Sequence, residues 1–205
     1  MAERRRGMPT RALLVAGAFA ALQTLLFLAV VPLTTMLVVT APPAYALIAG
    51  VHSLMPFLAR LVTAVAGTAI VTAVITGLLT AAVSPVGPLA AVPMVTAAVV
   101  FDALMPWRTR RRPQWWRVLL AAAVAGVALF VVSLPVFSSE HLSAPILIAT
   151  LVGRLLGEVA AAAAALAFTA MLSRAGVVRR GTPSPRGEGR GEAAGEVSPN
   201  SRRQG

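Results

Sequence analysis

The sequence predicts an all-α integral membrane protein: a bundle of six transmembrane helices, both termini cytoplasmic, with a disordered C-terminal tail. Three observations carry this. Hydrophobic residues make up 58% of the 205 positions and charged residues 12%, against about 25% charged in soluble chains. Mean hydropathy is +0.81. Uncharged runs recur at close to the ~20 residues a helix needs to cross roughly 30 Å of hydrocarbon, and arginines gather in alternate connections between those runs.

The runs, bounded by Pro, Gly or Arg, give the elements in order. The first extends from Ala12 to Val31, the second from Pro43 to Ala59, and the third from Leu61 to Val83. The fourth covers Gly87 to Trp107, the fifth Trp115 to Phe137, and the sixth Ser143 to Leu172. Pro42-Pro43, Ser84-Pro85 with Gly87-Pro88, and Ser138-Ser139 supply turns. Pro56 inside the second run predicts a kink whose freed carbonyls neighbouring groups must satisfy. The first run is longer than the apolar stretch of a signal peptide, usually 7–15 residues, and is expected to stay as an uncleaved helix.

Orientation follows from the arginines, because cytoplasmic loops carry the excess of basic residues. Arg4, Arg5, Arg6 and Arg11 precede the first span, and Arg60 separates the second from the third. Arg108, Arg110, Arg111, Arg112 and Arg117 surround the fourth-to-fifth connection, while Arg174, Arg179 and Arg180 follow the sixth span. The alternate connections contain no Arg. Trp107, Trp115 and Trp116 flank the basic loop, where interfacial anchors belong. The chain therefore divides into a basic cytoplasmic N-terminus (1–11), a transmembrane domain (12–172) and a cytoplasmic tail (173–205). The tail holds seven Gly, three Pro, seven Arg and three Glu, too little apolar surface to offset the entropy of ordering. Its arginines suit anionic lipid headgroups, and the +11 net charge marks membrane topology rather than nucleic-acid binding.

Several function classes are excluded. No Cys is present, so there are no thiolate metal sites, iron–sulfur clusters or cysteine nucleophiles. Walker A, G-x-S-x-G and H-E-x-x-H motifs are missing from the sequence, and no carboxylate cluster for Mg²⁺ occurs. No enzyme activity, metal or cofactor is expected.

Polar residues within spans are expensive and therefore informative. Arg154 and Glu158 stand four apart on one face of the sixth span, near the bilayer middle. They form either a polar floor to a ligand cavity or a self-neutralised pair holding helices together. Gly153 and Gly157 beside them, and Ala12, Ala16 and Ala20 on the first span, are small residues at the spacing that lets helices approach closely. Thr68, Thr72, Thr76 and Thr80 form one stripe on the third span. Thr72 and Thr76 at its middle line a polar cavity, or bond their own i−4 carbonyls. His52, near the Pro56 kink, is a ligand contact or a packing histidine. Tyr45 sits at the outer end of the second span, as an anchor or part of a ligand rim. Glu140 and His141 lie in the outer loop where a substrate would arrive. Asp102 falls near the inner surface, where Arg60 or Arg108 would pair with it in a structural role.

Residues 12–172 resemble the substrate-binding S component of an energy-coupling-factor (ECF) transporter for vitamins or other micronutrients. The likeness rests on six short spans, the Ala12-x3-Ala16-x3-Ala20 ladder, and an apolar Pro- and Thr-rich loop from Pro32 to Pro43 leading into Tyr45-Ala-Leu-Ile-Ala-Gly50. The ending from Gly153-Arg-Leu-Leu-Gly157 to Leu172-Ser-Arg-Ala-Gly-Val177 completes it. The resemblance implies a bacterial cytoplasmic-membrane subunit that captures a small molecule from outside. It also implies partners: a transmembrane coupling subunit, which the alanine ladder would face, and two cytoplasmic ATPase subunits. It places Glu140, His141, Arg154 and Glu158 nearest the ligand. The alternative is a membrane scaffold or accessory subunit that transports nothing, with Arg154 and Glu158 paired and dry between helices.

Overall fold

The computed structural model describes residues 8–82, 84, 87–105, 114–136 and 143–176, and these are all helix, turn or short connection. Helix α1 runs Thr10–Thr40. The second span is three pieces in line: α2 (Pro42–Ala49), a 3-10 turn (Gly50–Ser53) and α3 (Leu54–Thr63). Then come α4 (Thr68–Ala81), α5 (Ala91–Leu104) after a 3-10 turn at Gly87–Ala90, α6 (Trp115–Ser133), and α7 (Ala144–Arg174). Five spans are long and apolar enough to cross a membrane, and α4, at 14 residues, is a shorter apolar helix. Helices thus stand at all six expected places, at shifted boundaries, five of them of spanning length. The extreme N-terminus, the basic loop from Arg108 to Arg112, the outer loop with Glu140 and His141, and the tail beyond Gly176 lie outside the described residues.

Packing neighbours run α1, α4, α5, α6, α7 and back to α1 through α2, while α3 touches α1, α4, α5 and α7. So α3 is the inner helix, and Pro56 to Arg60 are buried in succession. Two apolar clusters fill the bundle. Phe57 stacks on Phe101 with ring centroids 4.0 Å apart, among alanines of α5, α6 and α7. Phe27 and Met94 meet Ala69, Ala73, Ala90 and Ala98 between α1, α4 and α5. Most buried apolar side chains are alanine, while large ones such as Leu14, Leu25, Leu78 and Leu89 face outward. A soluble protein would reverse this. In a bilayer, helices gain nothing hydrophobic by hiding leucine from lipid, so small residues that admit close backbone contact occupy the interior.

Two boundaries and one packing face differ from the sequence expectation. The apolar Pro- and Thr-rich stretch from Pro32 is helix as far as Thr40, not loop. Membrane helices tolerate proline where other groups re-satisfy the backbone, and Thr34, Thr35 and Thr40 donate their hydroxyls to carbonyls one turn back. Helix α1 is therefore about 46 Å long at roughly 1.5 Å per residue, longer than the hydrocarbon it crosses. The break falls at Ala41, and Pro42 opens α2, the first-turn site where a missing N–H costs nothing.

Second, Arg60 does not mark a connection. It lies inside α3 at 1% exposure, and its Nε is 2.7 Å from Asp102 Oδ1 on α5. Of the two partners expected for Asp102, Arg60 is the one found. The turn comes later, at residues 64–67, with Ala64 and Gly67 both left-handed at φ 53° and 84°. The Thr63 and Thr68 hydroxyls lie 3.1 Å apart across it.

Third, the Ala12, Ala16 and Ala20 ladder is interior, at 3%, 0% and 0% exposure. It faces the chain's own bundle, where the Thr76 hydroxyl reaches the Ala20 carbonyl at 3.5 Å, rather than presenting a surface to another subunit.

Candidate functional site

The site begins with the break in the second span. Four residues, Gly50 to Ser53, leave the α-helical ladder for a 3-10 turn, and Pro56 downstream has no N–H to give. A side chain from α1 repairs the gap. Gln23, fully buried, accepts from the Met55 backbone N–H at 3.1 Å and donates to the Val51 carbonyl at 3.4 Å. One amide thus satisfies a freed donor and a freed acceptor on either side of His52 and Ser53.

Helix α7 closes on this turn because glycine permits it. A Cβ at Gly50 would strike the Gly157 backbone, one at Gly153 the Pro43 carbonyl, and one at Gly157 the Leu47 carbonyl. The small residues Gly153 and Gly157 therefore pack within the chain, against α2. On the other flank Gly126 of α6 faces the Arg154 carbonyl and the Glu158 side chain.

Between these surfaces lie Arg154 and Glu158, at 3% and 0% exposure. At about 1.5 Å per residue, Arg154 is roughly 15 Å along the 31-residue α7. Among the described residues the two form no ion pair with each other. Glu158 Oε1 accepts from the Ser53 hydroxyl at 3.1 Å, and its Oε2 is buried without a partner. Arg154 donates to the Ser133 hydroxyl at 3.3 Å and lays its guanidinium over the Tyr45 ring, 5.5 Å from the centroid. His52 packs at 5.2 Å from the Phe27 ring, and its Nδ1 is buried without a hydrogen-bond partner.

The fold thus brings together Tyr45, His52, Arg154 and Glu158 from the residues the sequence singled out. It separates Thr72 and Thr76, which are fully buried on α4 and donate to their own i−4 carbonyls at 2.8 and 2.9 Å. That is the packing alternative, not a cavity lining. Glu140 and His141 lie outside the described residues. Sequence reading missed Gln23, Ser53 and Ser133. A lone Gln in a 31-residue apolar helix was the available signal for the first; serines in membrane helices are too common to stand out.

Among the described residues no group of three metal-ligating side chains occurs. The cluster holds a buried carboxylate oxygen and a buried imidazole nitrogen without hydrogen-bond partners, and a guanidinium set on a hydroxyl and a ring face.

Neither a family profile nor a curated protein matches the sequence. Among solved structures, a crystal structure of an S-component of an ECF transporter superimposes with a TM-score of 0.73 at 20% identity, covering 84% of this chain and 89% of that one. The six-helix bundle around the broken second span therefore has the fold of an ECF S component.

Proposed function

We propose that this chain is the substrate-binding subunit of an ATP-driven micronutrient importer in a bacterial cytoplasmic membrane. It captures a vitamin or vitamin precursor at the outer face and docks on a transmembrane coupling subunit served by two cytoplasmic ATPases. The observation that carries the reading is the coincidence of an S-component fold with partly unsatisfied, buried polar groups at the break in the second span. Buried polar atoms without partners cost free energy, and a ligand that fills them recovers it. The accessory-subunit alternative calls for Arg154 and Glu158 as a pair buried dry between helices; both are buried, and each bonds a different neutral partner rather than the other. Docking through α1 uses its outward face, with Leu14, Leu22 and Leu25, because the alanine ladder is covered.

Affinity isolation of the tagged chain from its native membranes in mild detergent tests this. The expected result is co-isolation of a membrane coupling protein and two ATPase chains, with ATP-dependent uptake on reconstitution. Isolation of the chain alone, with membranes lacking it taking up vitamins at the normal rate, contradicts the reading.

A further inference from the structure

We infer that the ligand of this site is an ampholyte: a small molecule carrying an ammonium group and an anionic group, one to meet each of two ionisable residues four apart on α7. The inference rests on the binding-subunit reading and adds to it the charge pattern of the substrate. Glu158 has one oxygen filled by Ser53 and one buried and empty. An ionised carboxylate oxygen only accepts, so what completes it in that form is a donor, and a cationic donor is the one that favours that form. Arg154 carries five N–H donors in a planar fork, and the structure gives it one hydroxyl and one ring face. An anionic acceptor completes it, and bidentate pairing with a carboxylate is the strongest form of that contact.

Opposite charges four apart on a helix ordinarily pair with each other. Here each bonds a serine instead, Glu158 that of the 3-10 turn (Ser53) and Arg154 that at the end of α6 (Ser133). A purely cationic ligand would leave Arg154 incompletely met inside the membrane, and a purely anionic one would leave Glu158 so. A ligand with both groups completes the two ends at once. The empty Nδ1 of His52, adjoining Ser53 on the turn, supplies a third polar contact to its body.

The test uses the full chain in nanodiscs and reads thermal midpoint against concentration for two ampholytes, gamma-aminobutyrate and para-(aminomethyl)benzoate. Each is compared with its N-acetyl form, which loses the ammonium, and its primary amide, which loses the carboxylate. The wild type should bind at least one ampholyte, and both blocked forms at least about tenfold more weakly, the scale of one charged hydrogen bond. Arg154→Gln should make the ampholyte and its amide equal, Glu158→Gln should make the ampholyte and its N-acetyl form equal, and Arg154→Lys should keep the wild-type order. Unliganded midpoints confirm that each variant is folded, and Ser53→Ala provides a milder probe of Glu158 if Glu158→Gln does not fold. Failure of both ampholytes to bind the wild type, or a blocked form binding as well as its parent, overturns the inference. Where a blocked form binds and either substitution weakens it, the binding-site reading stands alone. Where it binds and neither substitution matters, both readings fall.

Discussion

Asp102 links three elements through one carboxylate. It holds Arg60 of the inner helix α3 and accepts the Ile70 backbone N–H at 3.2 Å. Ile70 is the third residue of α4, whose cap Gly67 offers no side chain. First-turn N–H groups have no partner within their own helix, and a negative charge there is favoured by the helix dipole, so Asp102 caps α4 from a different helix. Breaking a buried ion pair by removing one partner costs about 3–5 kcal/mol, whereas replacing both is often neutral. Arg60→Met should therefore lower the unfolding free energy in detergent by that amount. The double variant Arg60→Met, Asp102→Asn, which keeps an acceptor for Ile70, should recover most of the loss. Equal instability of single and double variants would show that the pair is not coupled. The rule that arginine marks a membrane-protein connection failed at Arg60 for the same reason: a charge met by a countercharge from a distant helix can sit in the interior. Sequence could name Asp102 and its two candidate partners, but not the inner position of α3 that made one of them correct.

At the scale of elements, the contact of α7 with α2 depends on glycine where two backbones touch. An added methyl at Gly157 would press on the Leu47 and Ala46 carbonyls, whereas one at Gly17 meets nothing within 4 Å. Overpacking costs roughly 1–3 kcal/mol, and replacing an unhindered helical glycine by alanine gains about 0.5–1 kcal/mol. Gly157→Ala should thus lower the thermal midpoint while Gly17→Ala leaves it unchanged or raises it. If both behave alike, the close approach is not a determinant of the fold. The spacing of Gly153 and Gly157 was legible as a packing signal, and so was the alanine ladder on α1. Which surface each ladder faces was not, because a periodic stripe fixes a side of a helix without saying which neighbour lies there. Helix ends were legible to within a few residues where charge or a turn sequence bounded them, as in α7. They were lost where Pro32 continued a helix that a soluble protein would have broken.

For the whole molecule, sequence alone carried the fold class, because the length and number of apolar runs are dictated by bilayer thickness. The site was half legible. Arg154, Glu158, His52 and Tyr45 were visible as polar or aromatic residues in costly places. Their convergence needed the 3-10 break, Gln23 repairing it, and the glycine contacts that bring α7 against it. These groups are proposed to enclose a small molecule. Native mass spectrometry of the chain released from nanodiscs, after purification from its own membranes, tests this most directly. The predicted result is one small molecule bound per wild-type chain and per Gly17→Ala chain, lost in folded Glu158→Gln and Arg154→Gln. A wild-type chain carrying no small molecule, or one that both substitutions leave in place, would contradict it.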